Sequence, residues 1–563
     1  VSDARDAQRS RWKTTALEPL VVPFLALVLL AVPGMAAGQE SSESIRTRAE
    51  ASDFVETSTY DDVLAFLGAV AAANPGLHVG AFGYTYEGRR LPLAVWGAPD
   101  ASPAAVRASG KTRVLVLANI HAGEVEGKEA ALELLRELSG GEHAAWSDSL
   151  VLLVAPIYNA DGNERVRLDN RPLQLGPVGG MGQRPNAQGY DLNRDYMKLD
   201  TPEARSLVRL FTAYDPHVTI DLHTTNGTYH GYHLTYSPPL HPGTDDAIVA
   251  FARDRWLPSV TADLKPQWDL WHYGNLPGDE GFEAPAGWYT FSHQPRFGNN
   301  YEGLRNRFGL LSEAYAYLPF DERIEVTRRF VESLLDFAAA HASTIRGLTE
   351  AADGRDLSGG ELPVRAEIAC GPDREILMGE VAAEPHPYTG EPMLRRLPVQ
   401  RPESMPDCTS FRGTELSRVP AMWVVPAELE GAIELLSAHG IRMATLVEPA
   451  TIDVEAFAIA SSTQSEREFQ QHRERTLEGR WEPARETLPA GTVLVPTAQP
   501  LGRLAFYLLD PRSDDGLGAW NVLDEALEGA TRYPILRAAS LPPERSYRES
   551  DPTAREEAGD AGR

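Results

Sequence analysis

Val114-Leu115-Val116-Leu117-Ala118-Asn119-Ile120-His121-Ala122-Gly123-Glu124 decides the architecture. Its first five residues form a short, unbroken apolar run with β-branched members, the pattern of a strand buried on both faces. His121 and Glu124 then fall in the turn at the carboxyl end of that strand, the edge of an open α/β sheet where ligands bind. A histidine and a carboxylate three residues apart on a glycine-containing turn can converge on one ion. A third donor must come from further along, and His223 closes a second strand-like run, His217-Val218-Thr219-Ile220-Asp221-Leu222-His223. Two imidazoles and one carboxylate leave a zinc ion with an open position for water. Alone, a His-x-x-Glu is commonly just a pair of surface polar residues, so its surroundings have to carry the assignment.

Working outward, strands alternate with helices. Val63, Phe66, Leu67 and Val70 recur at helical spacing between Tyr60 and Asn74, and Pro75 ends that helix. A turn containing Gly83 and Glu87-Gly88-Arg89 precedes a strand over Leu91–Trp96. A helix over about 126–138 follows the His121 turn, and a strand over Leu150–Ala155 runs into Asn159-Ala160-Asp161-Gly162. Pro202-Glu203 opens the helix that leads to the His223 strand. This alternation predicts a mixed, mostly parallel sheet with helices on both faces. Residues 163–190 have no periodicity. Their Gly179-Gly180-Met181-Gly182 lacks the strand and helix that flank a phosphate loop, so the segment reads as a long loop ending in Arg184 and Asp191-Leu192-Asn193-Arg194.

In this order the motifs resemble the M14 family of zinc carboxypeptidases: the glycine turn with Glu87-Gly88-Arg89, His121-x-x-Glu124, Asn159-x-Asp161-Gly162, Asp191-Leu192-Asn193-Arg194, the strand-end His223, and Glu313 in Gly309-Leu310-Leu311-Ser312-Glu313. The resemblance covers roughly residues 55–345. It implies that His121, Glu124 and His223 bind one zinc ion and that Glu313 is the general base and acid. It further implies that Asn193 and Arg194 grip the terminal carboxylate of a substrate and that Arg184 stabilises the oxyanion, with Arg171 and Arg167 as rivals. Tyr301 is the candidate for the tyrosine that this family places over bound substrate, with Tyr289 as the alternative. Glu313 is chemically reasonable in its own right, because a carboxylate beside an activated water can take its proton. His217, His230 and His233 satisfy no ligand spacing and are expected to be solvated.

The 563-residue chain carries 80 Asp and Glu against 53 Lys and Arg, a net charge of −27 that argues against a nucleic-acid partner. Residues 1–38 have the form of an export signal: Arg9, Arg11 and Lys13, an apolar run over Leu20–Val32, then Ala36-Ala37-Gly38. As a helix the run reaches roughly 20 Å, short of the ~30 Å hydrocarbon core, so no lasting membrane span is expected. In an exported, periplasmic or extracellular protein, Cys370 and Cys408 meet an oxidising compartment and are candidates for one disulfide.

The catalytic domain is expected over residues 39–350, closing with a helix over about 322–342 and a polar, Gly-rich linker at 351–360. A smaller α/β domain without a catalytic constellation is expected over residues 361–541. Residues 542–563 are charged, nearly devoid of apolar side chains, and expected to be disordered. The function implied is an exported zinc metallocarboxypeptidase acting on peptides. Two alternatives are an M14-like amidase or deacylase acting on cell-wall peptides or N-acyl amino acids, and a relative that binds peptide without catalysis.

Overall fold

The computed structural model describes residues 44–278, 283–540, 542 and 546–549. The expected export signal over residues 1–38 lies outside them. No helix among the described residues is long and apolar enough to cross a membrane.

The core is an eight-stranded mixed sheet of β1 (Leu77–Tyr84), β2 (Arg90–Trp96), β3 (Thr112–Ala118), β4 (Leu150–Ala155), β5 (Val218–Thr225), β6 (Leu234–Ser237), β7 (Leu270–His272) and, past the two-residue β8 (Trp288–Tyr289) that belongs elsewhere, β9 (Phe308–Tyr315). Spatially the order is β1-β2-β4-β3-β5-β9-β6-β7. The centre, β4-β3-β5-β9, is parallel, so four strands end at one edge. β3 is buried at every position, as a strand covered on both faces requires. Its side chains alternate between two cores. Val114, Val116 and Ala118 join one apolar cluster with helices Tyr60–Ala73, Glu126–Gly140 and Phe320–Ala340. Leu115 and Leu117 join another, with helix Pro202–Tyr214.

That second cluster continues into the C-terminal half of the chain: Trp423, Leu436, Phe506 and Trp520 belong to it together with Phe211, Tyr301 and Leu304. There, seven strands form a wholly antiparallel sheet in the order Arg475–Leu488, Ala450–Gln464, Leu536–Ala538, Met422–Val425, Val493–Pro496, Ala444–Leu446, Tyr547–Glu549. The helices Glu430–Ala438 and Gly502–Leu509 accompany it. The fold is therefore a mixed α/β N-terminal half followed by a smaller, mostly antiparallel, β-rich region with interspersed helices.

Three local expectations change. Helix Ala342–Asp353 runs into the stretch read as a linker. Tyr547–Glu549, in the tail expected to be disordered, pairs with Ala444–Leu446 as an edge strand, because strand pairing uses backbone groups and needs no apolar composition. The third concerns histidines: His217 and His230 are buried and His233 is half-buried. Burial pushes their pKa values down to about 3, 3 and 4 respectively, so all three are neutral. Cys370 and Cys408 form a disulfide.

Candidate active site

The parallel strands place the site. After β3, Asn119 turns the chain through a left-handed conformation (φ 64°), and the Glu124 N–H donates to the His121 carbonyl at 2.9 Å. This tight turn aims both side chains off the sheet edge. In β5, His223 stands directly opposite Glu313 of β9, so the two side chains share a face of neighbouring strands. The long loop packs against the turn with little room to spare. A Cβ on Gly182 would lie 2.7 Å from the Ala122 carbonyl oxygen and 2.6 Å from that of Gly162, which explains the glycines of residues 179–182 without a phosphate.

His121 Nδ1 lies 3.0 Å from Glu124 Oε1, His223 Nδ1 lies 3.0 Å from Glu124 Oε2, and the two Nδ1 atoms are 3.2 Å apart. Tetrahedral zinc with bonds of about 2.0–2.1 Å has ligand–ligand edges of roughly 3.3 Å. The donor set and its spacing therefore fit one zinc ion, and these three buried residues form a cluster whose ligand atoms all lie within 4.8 Å of one another. On the far side of each ring a carboxylate stands at Nε2: Asp191 Oδ1 at 3.0 Å from His121, and Asp221 Oδ2 at 2.9 Å from His223, the latter off the line of a hydrogen bond. A carboxylate placed as Asp191 is favours the proton on Nε2 of His121 and leaves its Nδ1 to the metal. Glu124 is further held by the Thr224 N–H (3.1 Å) and by Arg171 Nη2 (2.7 Å).

A cleft of about 200 Å³ opens over this cluster, lined in addition by Glu313, Arg184, Asn193, Arg194, Tyr273, Phe291 and Phe297. Burial in the cleft wall pushes the Glu313 carboxyl up to about 8; His223 opposes the shift and Glu124 adds to it. Arg184 donates twice to Asp191 Oδ2, at 3.0 and 2.8 Å, and its Nη1 is 3.7 Å from Glu124. Asn193 Oδ1 accepts from the Gly298 N–H at 2.9 Å. The Arg194 guanidinium lies over the Phe297 ring, 3.8 Å from its centroid. Burial lowers its pKa to about 10, which leaves it cationic at neutral pH.

Seven of the eight residues singled out from sequence thus meet in one cleft. Tyr301 does not. It is wholly buried in the second core, its hydroxyl 2.7 Å from His439 Nδ1 and accepting from Arg305 Nη1 at 3.2 Å. A ring so enclosed cannot cover a substrate. Tyr289, also buried, pairs with Cys408 outside the cleft. Of the rival arginines, Arg171 lies in the cleft, and Arg167 is an exposed partner of Asp169. Asp191, Asp221, Tyr273, Phe291 and Phe297 were given no role from sequence. Asp221 was legible, since it precedes His223 by two residues and so shares its face. The three aromatic residues carry no spacing signal.

Residues 63–253 match the family model Peptidase M14, described as zinc carboxypeptidase. Carboxypeptidase 2 of Trichophyton tonsurans is 23% identical over 470 residues, which cover 80% of this chain and 81% of that protein. Carboxypeptidase D of Rattus norvegicus is 32% identical over 168 residues, 25% of this chain and 12% of that much longer protein. Among solved structures, a metallo-carboxypeptidase from Burkholderia cenocepacia aligns over 50% of this chain and 69% of its own, at 18% identity and a TM-score of 0.37. The matched segment, residues 63–253, is similar to the M14 zinc carboxypeptidases and holds His121, Glu124 and His223 in metal-binding geometry.

Proposed function

We propose that the protein is an exported zinc metallocarboxypeptidase that removes residues from the C-terminus of peptides. The observation that carries this reading is the single cleft holding a His–Glu–His donor set, a carboxylate one strand away, and two arginines. A zinc ion held there supplies Lewis acidity that activates water and polarises a carbonyl. Glu313 takes the proton from the attacking water and delivers it to the departing amine, a role suited to a carboxyl whose pKa lies near neutrality. Arg184, fixed by Asp191, faces the negative charge that develops on the carbonyl oxygen. Asn193 and Arg194 receive the terminal carboxylate of the peptide. A guanidinium meets a carboxylate through two parallel N–H groups, which sets the register at the last residue.

The test is digestion of a mixed peptide library with free and amidated C-termini, read by mass spectrometry, with and without a zinc chelator and beside Glu313→Gln. Chelator-sensitive trimming of free C-termini alone, lost in the variant, is the expected result. Zinc-loaded protein that trims neither set would overturn the peptidase reading in favour of an amidase or deacylase, whose substrates also carry carboxylates for Arg194.

A further inference from the structure

The C-terminal region takes no part in the reaction just described, yet one of its turns reaches the catalytic loop. Strands Ala450–Gln464 and Arg475–Leu488 form a long antiparallel hairpin. At its tip Phe469 and His472 exchange backbone hydrogen bonds of 2.8 and 3.0 Å. Between them Gln470 (φ 50°) and Gln471 (φ 62°) both occupy the left-handed region. Two-residue hairpin turns with positive φ at both centres favour Asn and Gly, because longer L side chains crowd their own backbone there. Two glutamines in such a turn are a conflict between residue type and conformation, and conflicts of this kind collect at functional sites.

The side-chain contacts show what the conflict serves. Gln470 Oε1 accepts a hydrogen bond from the Asp191 N–H at 2.9 Å. The Asp191 carboxylate in turn meets His121 Nε2 (3.0 Å), accepts from Arg184 (2.8 and 3.0 Å), and accepts from the Asn193 N–H (2.9 Å). One short chain of bonds therefore joins the hairpin tip to a metal ligand, to the arginine beside it and to the substrate-carboxylate loop. The tip is itself anchored. His472 Nε2 lies 2.8 Å from Asp200 Oδ2. The Arg296 guanidinium stands over the rings of Trp520 (4.5 Å) and Phe469 (5.4 Å) and donates to Asp515 at 2.9 Å. Arg296 immediately precedes Phe297, the ring beneath Arg194.

We propose that Gln470 is a positioning residue: from the C-terminal region it holds the Asp191 backbone, and through Asp191 the placement of His121, Arg184 and the Asn193-Arg194 pair. The C-terminal region is on this view a structural part of the active site. For its effect on turnover the inference rests on the carboxypeptidase reading; the positioning itself does not.

Two variants of the full-length protein test it. Gln470→Met keeps the length of the side chain and removes the acceptor. Gln470→Gly also removes the acceptor but adopts the left-handed turn without strain. In Gln470→Met, amide hydrogen exchange in fragments covering residues 186–195 should rise about five- to tenfold, the effect of one lost hydrogen bond. The kcat/KM on peptides with free C-termini should fall by a similar factor, and a chelator should strip zinc at a lower concentration. In Gln470→Gly the same losses should appear with a Tm no lower than that of the parent, a split that a purely structural role would not produce. Unchanged exchange in Gln470→Met overturns the hydrogen bond. Raised exchange with unchanged kcat/KM and unchanged zinc retention overturns the positioning role, as does a Gln470→Gly variant whose Tm falls along with its activity. If the parent protein trims no peptide, exchange and zinc retention still decide the inference, and the peptidase reading fails separately.

Discussion

Glu313 and His223 are 90 residues apart in the chain and adjacent in space because β5 and β9 run parallel in register. Glu313→Gln keeps the shape of the side chain and removes its capacity to take a proton. It should lower kcat by roughly 10²–10⁴-fold, the usual contribution of a positioned general base, while zinc content stays at that of the parent. A variant that kept full activity would remove Glu313 from the mechanism. The same carboxyl makes a second expectation. With its pKa raised to about 8 it is largely protonated at pH 7 when no cation is near, and a divalent cation on His121, Glu124 and His223 favours its ionised form. Zinc loading at pH 7 should therefore release about one proton more from the parent than from Glu313→Gln. Calorimetric titration in buffers of different ionisation heat measures the difference, and equal release from both proteins would refute it. Arg194→Ala should raise KM for free C-termini and cut kcat/KM about 10- to 100-fold, as expected for the loss of a charged hydrogen bond. Equal effects on other substrates of the same cleft that lack a carboxylate would count against its assigned role.

Elements were legible where their pattern was decided locally. The helix over Tyr60–Ala73 begins at a reciprocal cap, Thr59 Oγ1 accepting from the Asp62 N–H and Asp62 accepting from the Thr59 N–H, and its apolar face repeats at helical spacing. β3 and β4 read as buried strands because both of their faces are covered. The hairpin of Ala450–Gln464 and Arg475–Leu488 did not, because most of its positions are exposed or half-buried and charged residues fall on both faces. Junctions between elements were equally opaque. Asp215, left-handed at the end of helix Pro202–Tyr214 (φ 51°), accepts from Arg307 Nη2 at 2.6 Å and Arg113 Nη2 at 2.9 Å, so it fastens the starts of β9 and β3 to that helix. Burial alone would raise the Asp215 pKa; Arg307 and Arg113 instead bring it down to about 2. A carboxylate with a depressed pKa stabilises the fold above its unfolded value, near 4, and loses that contribution as pH falls through 4 towards 2. Asp215→Asn, which tolerates the left-handed backbone, should cost about 2 kcal/mol at pH 7. The gap to the parent should close between pH 4 and 2 in denaturant titrations. A gap that stayed constant with pH would assign the cost to packing instead.

At the scale of the whole molecule the second apolar cluster runs through both halves of the chain, with Phe211 and Tyr301 on one side and Trp423 and Phe506 on the other. We propose the division at residues 350–361 as one of sequence and role, with both parts sharing a core. A fully buried large apolar side chain contributes about 1.5–3 kcal/mol, and net stability is roughly 5–15 kcal/mol. Uncovering even a handful of such residues exceeds what the catalytic half can absorb. A fragment of residues 40–355 should therefore be insoluble or show a Tm far below that of the full chain, measurable by calorimetry and limited proteolysis. A fragment of parental stability would mean that the shared cluster is a dispensable contact.

The sequence by itself determined the alternation of strands and helices, the turn that carries His121 and Glu124, and the residues of the metal site. Each of these depends on patterns a few residues long, on donor chemistry, or on motifs met in a familiar order. The tertiary structure alone decided that Asp191 backs His121, that Tyr301 lies in the core while Tyr273, Phe291 and Phe297 face the cleft, and that a turn near residue 470 touches the catalytic loop. Such contacts join residues far apart in the chain, and nothing local in the sequence encodes which distant surface a side chain will meet.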